Sequence, residues 1–233
     1  MMYQYQLNVE NEQMVVYRFP YEPVGSNMFF IPTGDTGIVF DPNENDELLE
    51  VFEKQGTKRV TIVLTHEHYD HTNGVEWLQG KIESRLFCHK ECAKTIATER
   101  GNEPKLVAFV LSIKDAEDGG HRYEDFKSNM KRYTLQADVT FEGESELVVG
   151  NIKLKCYSMP GHTPGSALYF LEDKYVFTGD SLIQNTPTIL RFPESDKKLY
   201  NELTRPFLKS LDKNTLAFPG HGDPFKIFEA KYL

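Results

Sequence analysis

The segment VTIVLTHEHYDHTNGV, residues 60 to 75, constrains this chain more than any other. Its first half, Val60-Thr61-Ile62-Val63-Leu64, is a β-branched apolar run of the kind that forms a buried strand. Its second half crowds His66, His68, Asp70 and His71 into six positions. A buried strand cannot deliver so many polar groups to one place unless something satisfies them.

Other strand-like runs follow the same rule. They are MVVYRF (14–19), NMFFI (27–31), GIVFD (37–41), ESRLFC (83–88), IKLKCYSM (152–159), ALYFLE (167–172), KYVFTG (174–179) and TLAFPG (215–220). Helical patterns lie between some of them. ENDELLEVFEKQG (44–56) carries Leu48, Leu49, Phe52 and Glu53 in helical spacing and ends at Gly56, a cap. LYNELTRPFLKSL (199–211) reads as a helix in two parts, with Pro206 as a kink or restart. Hairpin-like strands mixed with strand–helix units predict an α/β protein with mixed sheets.

Strand ends then carry the chemistry. Asp41, His66, His162, Asp180 and His221 each close a separate strand-like run. Binding sites of α/β sheets form beyond the carboxyl ends of strands, where rigid mounts converge. Five of the seven histidines sit in such positions; His89 and His121 do not. Imidazole and carboxylate suit zinc, iron or manganese. His66, His68, His71, His162 and His221 with Asp70 and Asp180 make seven groups. One tetrahedral zinc takes about four ligands, so seven suit two metals. His66 and His68 are two apart and point to one side of an extended segment. Asp70 and His71 follow a bend, and the two oxygens of Asp180 can bridge. Tyr69 and Thr72 flank the cluster as packing and hydrogen-bonding residues.

Residues 93 to 137 interrupt the strand pattern with two or three helices. LVAFVLSI (106–113) is almost continuously apolar, and Tyr123, Phe126, Met130 and Tyr133 are spaced to share one helical face. This segment is expected to be packed core, a lid over a pocket or a homodimer contact. One domain over residues 1–233 is expected, with this segment as a helical insertion. Cys88 and Cys92 in FCHKEC read as thiols packed at a strand-to-helix junction rather than as metal ligands. Three cysteines without a disulfide framework, no signal-like N-terminus and no membrane-length apolar run imply a cytoplasmic protein. A formal charge of −9 disfavours nucleic acid as partner. Arg191 and Lys197 are candidates for an anionic substrate group, or for exposed salt bridges.

The combination THEHYDH, PGHTPGS, TGDS and FPGHGDP, with Asp41 in VFDPN, resembles the metallo-β-lactamase fold hydrolases over roughly residues 14 to 225. The resemblance implies an αββα sandwich with the metals at one edge. It implies His66, His68 and His162 on one divalent metal, Asp70, His71 and His221 on the second, and Asp180 between both. Asp41 is implied to orient a ligand from outside, and zinc is favoured over iron or manganese. The implied chemistry is hydrolysis of an ester-type bond (thioester, lactone or related) in a small molecule by water activated between two metals, with Asp70 accepting or relaying the proton. PGHTPGS and FPGHGDP are most similar to the glyoxalase II-like subgroup, but only 12 residues follow His221, too few for the C-terminal helical domain of glyoxalase II. A persulfide dioxygenase-like iron enzyme and a phosphodiesterase are the alternatives within the same superfamily, and a scaffold that has lost catalysis would be expected to lack ligands.

Overall fold

Alternation along the strands decides the layers. The computed structural model describes residues 1–99, 104–130 and 132–233; within the 93–137 segment, residues 100–103 and Lys131 lie outside it. The first half of the chain contributes β1 (Tyr3–Val9), β2 (Glu12–Tyr21), β3 (Ser26–Thr33), β4 (Thr36–Phe40), α1 (Asp46–Gln55), β5 (Arg59–Val63), α2 (Tyr69–Thr72), α3 (Val75–Gln79), β6 (Glu83–His89) and α4 (Lys90–Ile96). After α5 (Lys105–Asp118) and α6 (Arg122–Asn129), β7 (Val139–Phe141) completes a seven-stranded sheet in the order β1 to β7. It is antiparallel from β1 to β4 and parallel from β4 to β7.

The second half builds β8 (Glu144–Val149), β9 (Ile152–Ser158), β10 (Ala167–Leu171), β11 (Tyr175–Gly179), α7 (Lys197–Leu199), α8 (Arg205–Ser210), β12 (Leu216–Pro219) and β13 (Phe225–Lys226). Its strands form a six-stranded sheet in which only β11 and β12 run parallel.

Successive side chains of a strand face opposite sides, so each sheet sorts its residues into two cores. Ile38, Phe40 and Val63 of the first sheet meet Tyr169, Phe177 and Phe218 of the second between the sheets. The rings of Phe40 and Phe177 stack with centroids 4.0 Å apart at 8°. Val39, Ile62 and Leu64 face the other way, onto Leu48 and Phe52 of α1, Leu78 of α3 and Cys92 of α4. Leu168, Phe170 and Val176 face Leu208 of α8. The result is the expected αββα arrangement, two mixed sheets face to face with helices outside.

Local signals explain most boundaries. Asn45 caps α1 by accepting from the Glu47 N–H, and Gly56 ends it at φ 69°. Cys88 and Cys92 are buried free thiols at the β6–α4 junction. The helix around Pro206 does not break. A π turn at Tyr200–Thr204 precedes α8, widening the ladder where the proline has no N–H to donate.

The helical face proposed for Tyr123, Phe126, Met130 and Tyr133 is corrected. α6 stops at Asn129, and Met130 is already extended at ψ 134°. Tyr133 lies beyond the helix and is buried by its own contacts, ring against Tyr69 and hydroxyl 2.8 Å from that of Thr72. Only Tyr123 and Phe126 share the helix. Four strands went unread in the sequence. β1 and β8 are rich in polar residues (Gln4, Gln6 and Asn8; Glu144, Ser145 and Glu146), and β7 and β13 have only three and two residues.

Candidate metal centre

Five loops meet at one edge of the sandwich. Asp41 follows β4, His66 to His71 follow β5, His162 follows β9, Asp180 follows β11 and His221 follows β12. The first sheet supplies Asp41, His66, His68, Asp70 and His71; the second supplies the other three.

The hydrogen bonds on the outer side of each imidazole decide which nitrogen faces inward. His71 Nδ1 lies 2.9 Å from Asp41 Oδ2, and a carboxylate can only accept from it, so Nε2 is the nitrogen turned inward. Thr65 gives its hydroxyl proton to Asp41 Oδ2 at 2.6 Å, so its oxygen accepts from His66 Nδ1 at 3.0 Å and His66 Nε2 is bare. His162 Nδ1 donates to the Ile189 carbonyl at 2.9 Å. His68 is turned the other way round. Its Nε2 donates to Glu194 Oε1 at 3.0 Å, leaving Nδ1 bare.

Those bare nitrogens converge. His68 Nδ1 is 3.1 Å from both His66 Nε2 and His162 Nε2. A tetrahedral zinc with nitrogen at 2.0–2.1 Å would hold such a pair about 3.3 Å apart, so the spacing fits. Beside this triad, Asp70 Oδ2 lies 3.5 Å from His71 Nε2 and 3.3 Å from His221 Nε2. Asp180 stands between the two groups. Its Oδ1 is 3.6 Å from His71 Nε2, and its Oδ2 is 3.5 Å from His221 Nε2 and 3.7 Å from His162 Nε2.

Two buried atoms in this cluster, His71 Nε2 and Asp180 Oδ1, lack hydrogen-bond partners among the described residues. They face one another, and a cation would satisfy both. Gly220 leaves the necessary room, since a Cβ there would overlap Asp180 Oδ1. The donor set fits a divalent metal. Asp41 is close enough to His66 and His71 to be grouped with them. Its oxygens, however, are taken by the Thr65 N–H at 2.7 Å, the Thr65 hydroxyl and His71, which leaves it outside as an orienting carboxylate.

Electrostatics follow the same division. Burial and the neighbouring imidazoles push His66 far down and His162 down to about 4, so both are neutral donors. Burial pulls His71 down too, but Asp70, Asp41 and Asp180 outweigh it and hold it up at about 10. Burial likewise lowers His221, while Asp180 and Asp70 more than reverse the effect. Burial raises Asp70 and Asp180, yet the histidines around them keep both below the usual carboxylate range.

Without metal, then, protons on His71 and His221 stand in for positive charge. A histidine raised in the fold stabilises it fully below its unfolded value, and that stability is lost as pH rises through the folded value. The metal-free chain is therefore expected to lose stability between about pH 6.5 and about pH 10. Denaturant midpoints of chelator-treated protein across that range check this; a flat profile would contradict it.

Several residues that hold the site carry no motif of their own. Ser26 Oγ donates to the Asp70 carbonyl at 2.9 Å. Asn27 Nδ2 donates to the carbonyls of Pro219 and Gly222 at 2.9 and 2.7 Å, and buried Arg18 reaches the Gly222 carbonyl at 2.8 Å, so the His221 loop is clamped from both sides. Glu67 is buried between the first two histidines, where it accepts from Thr163 Oγ1 at 2.9 Å and the Gly165 N–H at 3.2 Å. It ties the His66–His71 loop to the His162 loop, and its position inside THEHYDH was the signal that could have found it. Thr72 donates to the His68 carbonyl, a packing and hydrogen-bonding role as expected. His89 accepts from the Glu91 N–H at the start of α4, away from the cluster. Arg191 and Lys197 are exposed and form no ion pair among the described residues, so the salt bridges expected for them are absent there.

Comparison with known proteins agrees with this geometry. A Bacillus subtilis (strain 168) protein described as "Probable metallo-hydrolase YqgX" is 26% identical over 207 residues, 88% of this chain and 89% of that protein. The hydroxyacylglutathione hydrolase of Buchnera aphidicola subsp. Schizaphis graminum is 26% identical over 184 residues, 79% of this chain but 56% of that longer protein. Among solved structures, TTHA1623 in a di-iron-bound form superposes with a TM-score of 0.66 at 22% identity, covering 91% of this chain and 95% of that one, which establishes likeness of fold. The sequence profile of the metallo-beta-lactamase superfamily matches residues 21–221, and the chain belongs to that superfamily.

Proposed function

We propose that this protein is a metal-dependent hydrolase that holds two divalent ions and cleaves an ester-type bond in a small molecule, a thioester before a lactone. The observation that carries the proposal is the division of seven donor groups into two sets that share Asp180. His66, His68 and His162 form one set, Asp70, His71 and His221 the other. Relatives described as hydroxyacylglutathione hydrolases support a thioester, and they are longer than this chain. Zinc is the first choice of metal on the donor set, with iron and manganese next; the di-iron neighbour keeps iron in view.

When bound, such a pair supplies Lewis acidity and water of lowered pKa. The chain's own residues do the rest. Asp41 and Thr65 hold His71 and His66 in the tautomers that turn Nε2 inward. Asp70 is the proton acceptor in this reading. Its carboxylate is kept ionised by His71 and His221, and at 14% exposure it can still pass a proton to solvent. Phe192 lies edge-on to His68 and His162, centroids 5.0 and 5.8 Å away, and excludes water from that side.

Among the described residues no helix is long and apolar enough to cross a membrane. The exposed apolar residues Phe109, Val110 and Ile113 of α5 are the surface on which the expected homodimer would form. A panel of thioester, lactone, phosphodiester, β-lactam and persulfide substrates, run on protein of measured metal content, tests the reading. Thioester or lactone hydrolysis at two metals per chain is expected. Oxygen consumption with persulfide at one iron per chain, or phosphodiester cleavage alone, would replace it.

A further inference from the structure

Of the five histidines that face the cluster, four have their outer nitrogens fixed by Thr65, Asp41, Glu194 and Ile189, and these four are not held alike. His66 and His71 are fixed by Thr65 and Asp41, buried residues at the ends of β5 and β4. His68 and His162 are fixed by one loop from the other sheet, residues 188 to 196. Its Ile189 carbonyl accepts from His162 Nδ1 at 2.9 Å, and Glu194 Oε1 accepts from His68 Nε2 at 3.0 Å. Between them, Phe192 sets its edge against both imidazoles. The loop's far end is tied down as well. Ser195 Oγ donates to the His162 carbonyl at 2.8 Å and the Asp196 N–H to the Gly161 carbonyl at 2.9 Å.

We infer that Glu194 is a positioning residue that holds His68 in the tautomer with a bare Nδ1, so that the 188–196 loop builds the His66–His68–His162 position. The geometry asks for such a residue at His68 above all. Its ring is the one that turns Nδ1 inward, against the Nε2 of its neighbours, and a carboxylate on Nε2 fixes both the proton and the ring plane. The Glu194 side chain is about a third exposed, whereas Asp41 is 3% exposed. The His66–His68–His162 position therefore depends on a surface loop, and the Asp70–His71–His221 position on buried strand ends. A disturbance of the loop empties the first position before the second.

Two readouts test this, and only the second rests on the two-metal reading above. In metal-free protein, long-range 1H–15N spectra of the imidazoles report tautomers. His68 is expected as the Nε2–H form in the native chain and in Glu194→Gln, whose amide oxygen still accepts, and as a mixture in Glu194→Ala. An unchanged His68 tautomer in Glu194→Ala would overturn the inference. In Zn2+ titrations against a competing chelator, Glu194→Ala is expected to weaken one of two equivalents about 10–100-fold and leave the other unchanged, with Glu194→Gln close to native. Equal weakening of both equivalents, or none, would also overturn it. A native chain that binds no zinc at all would count against the metal reading, and the tautomer spectra would still decide the role of Glu194.

Discussion

Replacing Asp180 by alanine is expected to lower kcat/KM on the ester-type substrate proposed above on the order of 10^3-fold, equivalent to about 4 kcal/mol of transition-state stabilisation. Asp180 reaches both donor sets, with Oδ1 toward His71 and Oδ2 toward His162 and His221. Its removal takes a donor from each set at once. The fold is expected to survive, because the side chain lies at the edge of the sandwich and belongs to none of the apolar cores. Near-ultraviolet circular dichroism and metal content measured beside activity separate the two effects. Native-like spectra with low metal content and low turnover are expected; full activity after stringent stripping and repletion would remove Asp180 from the site.

The largest effect on stability is expected at Phe40. Its ring is fully buried and stacks on Phe177 from the opposite sheet, and Phe29 and Phe218 close the same aromatic cluster. Truncation of such a ring removes its transfer free energy and leaves a cavity that rigid strands cannot close, about 3–5 kcal/mol in all. Phe109→Ala on α5, where the ring is 63% exposed, is expected to change stability by about 0.5 kcal/mol or less. Urea denaturation of the two variants checks the contrast. Similar losses in both would mean that the α5 surface is covered in solution. Because Asp41 directly follows Phe40, activity in Phe40→Ala is expected to fall further than the unfolded fraction alone explains.

Much of the site was legible in the sequence because its ligand-type residues sit at fixed places in short, rigid motifs. A buried β-branched run announces β5, and the residues after it have little freedom to be elsewhere. The same holds for His162, Asp180 and His221, each one to four residues past a strand. Mixed sheets were legible from hairpin-like strands set among strand–helix units, and the two-sheet sandwich came with the family resemblance; that Phe40, Phe177 and Phe218 meet between the sheets is seen only in the structure. Glu194 was not legible. It lies 126 residues from His68 in an irregular loop, and no local pattern marks a surface carboxylate as the partner of one imidazole. Arg18 and Asn27 escaped for the same reason, since their work is done on the backbone of a distant loop. Tyr133 was misassigned because periodicity alone cannot tell where a helix stops. The chain after Asn129 turned extended and reached the core by another path.

The eight residues of the cluster divide five to three between the sheets, Asp41, His66, His68, Asp70 and His71 on one and His162, Asp180 and His221 on the other. Neither set of three donors that shares Asp180 is complete without a group from the opposite sheet. The cluster is in that sense an interface internal to the chain, and it comes into being only when the two halves have docked. Ion capture is then a late event in folding, and it acts as a rivet across the seam. An ion bound there stabilises the docked arrangement over every earlier one, in proportion to its concentration over its dissociation constant.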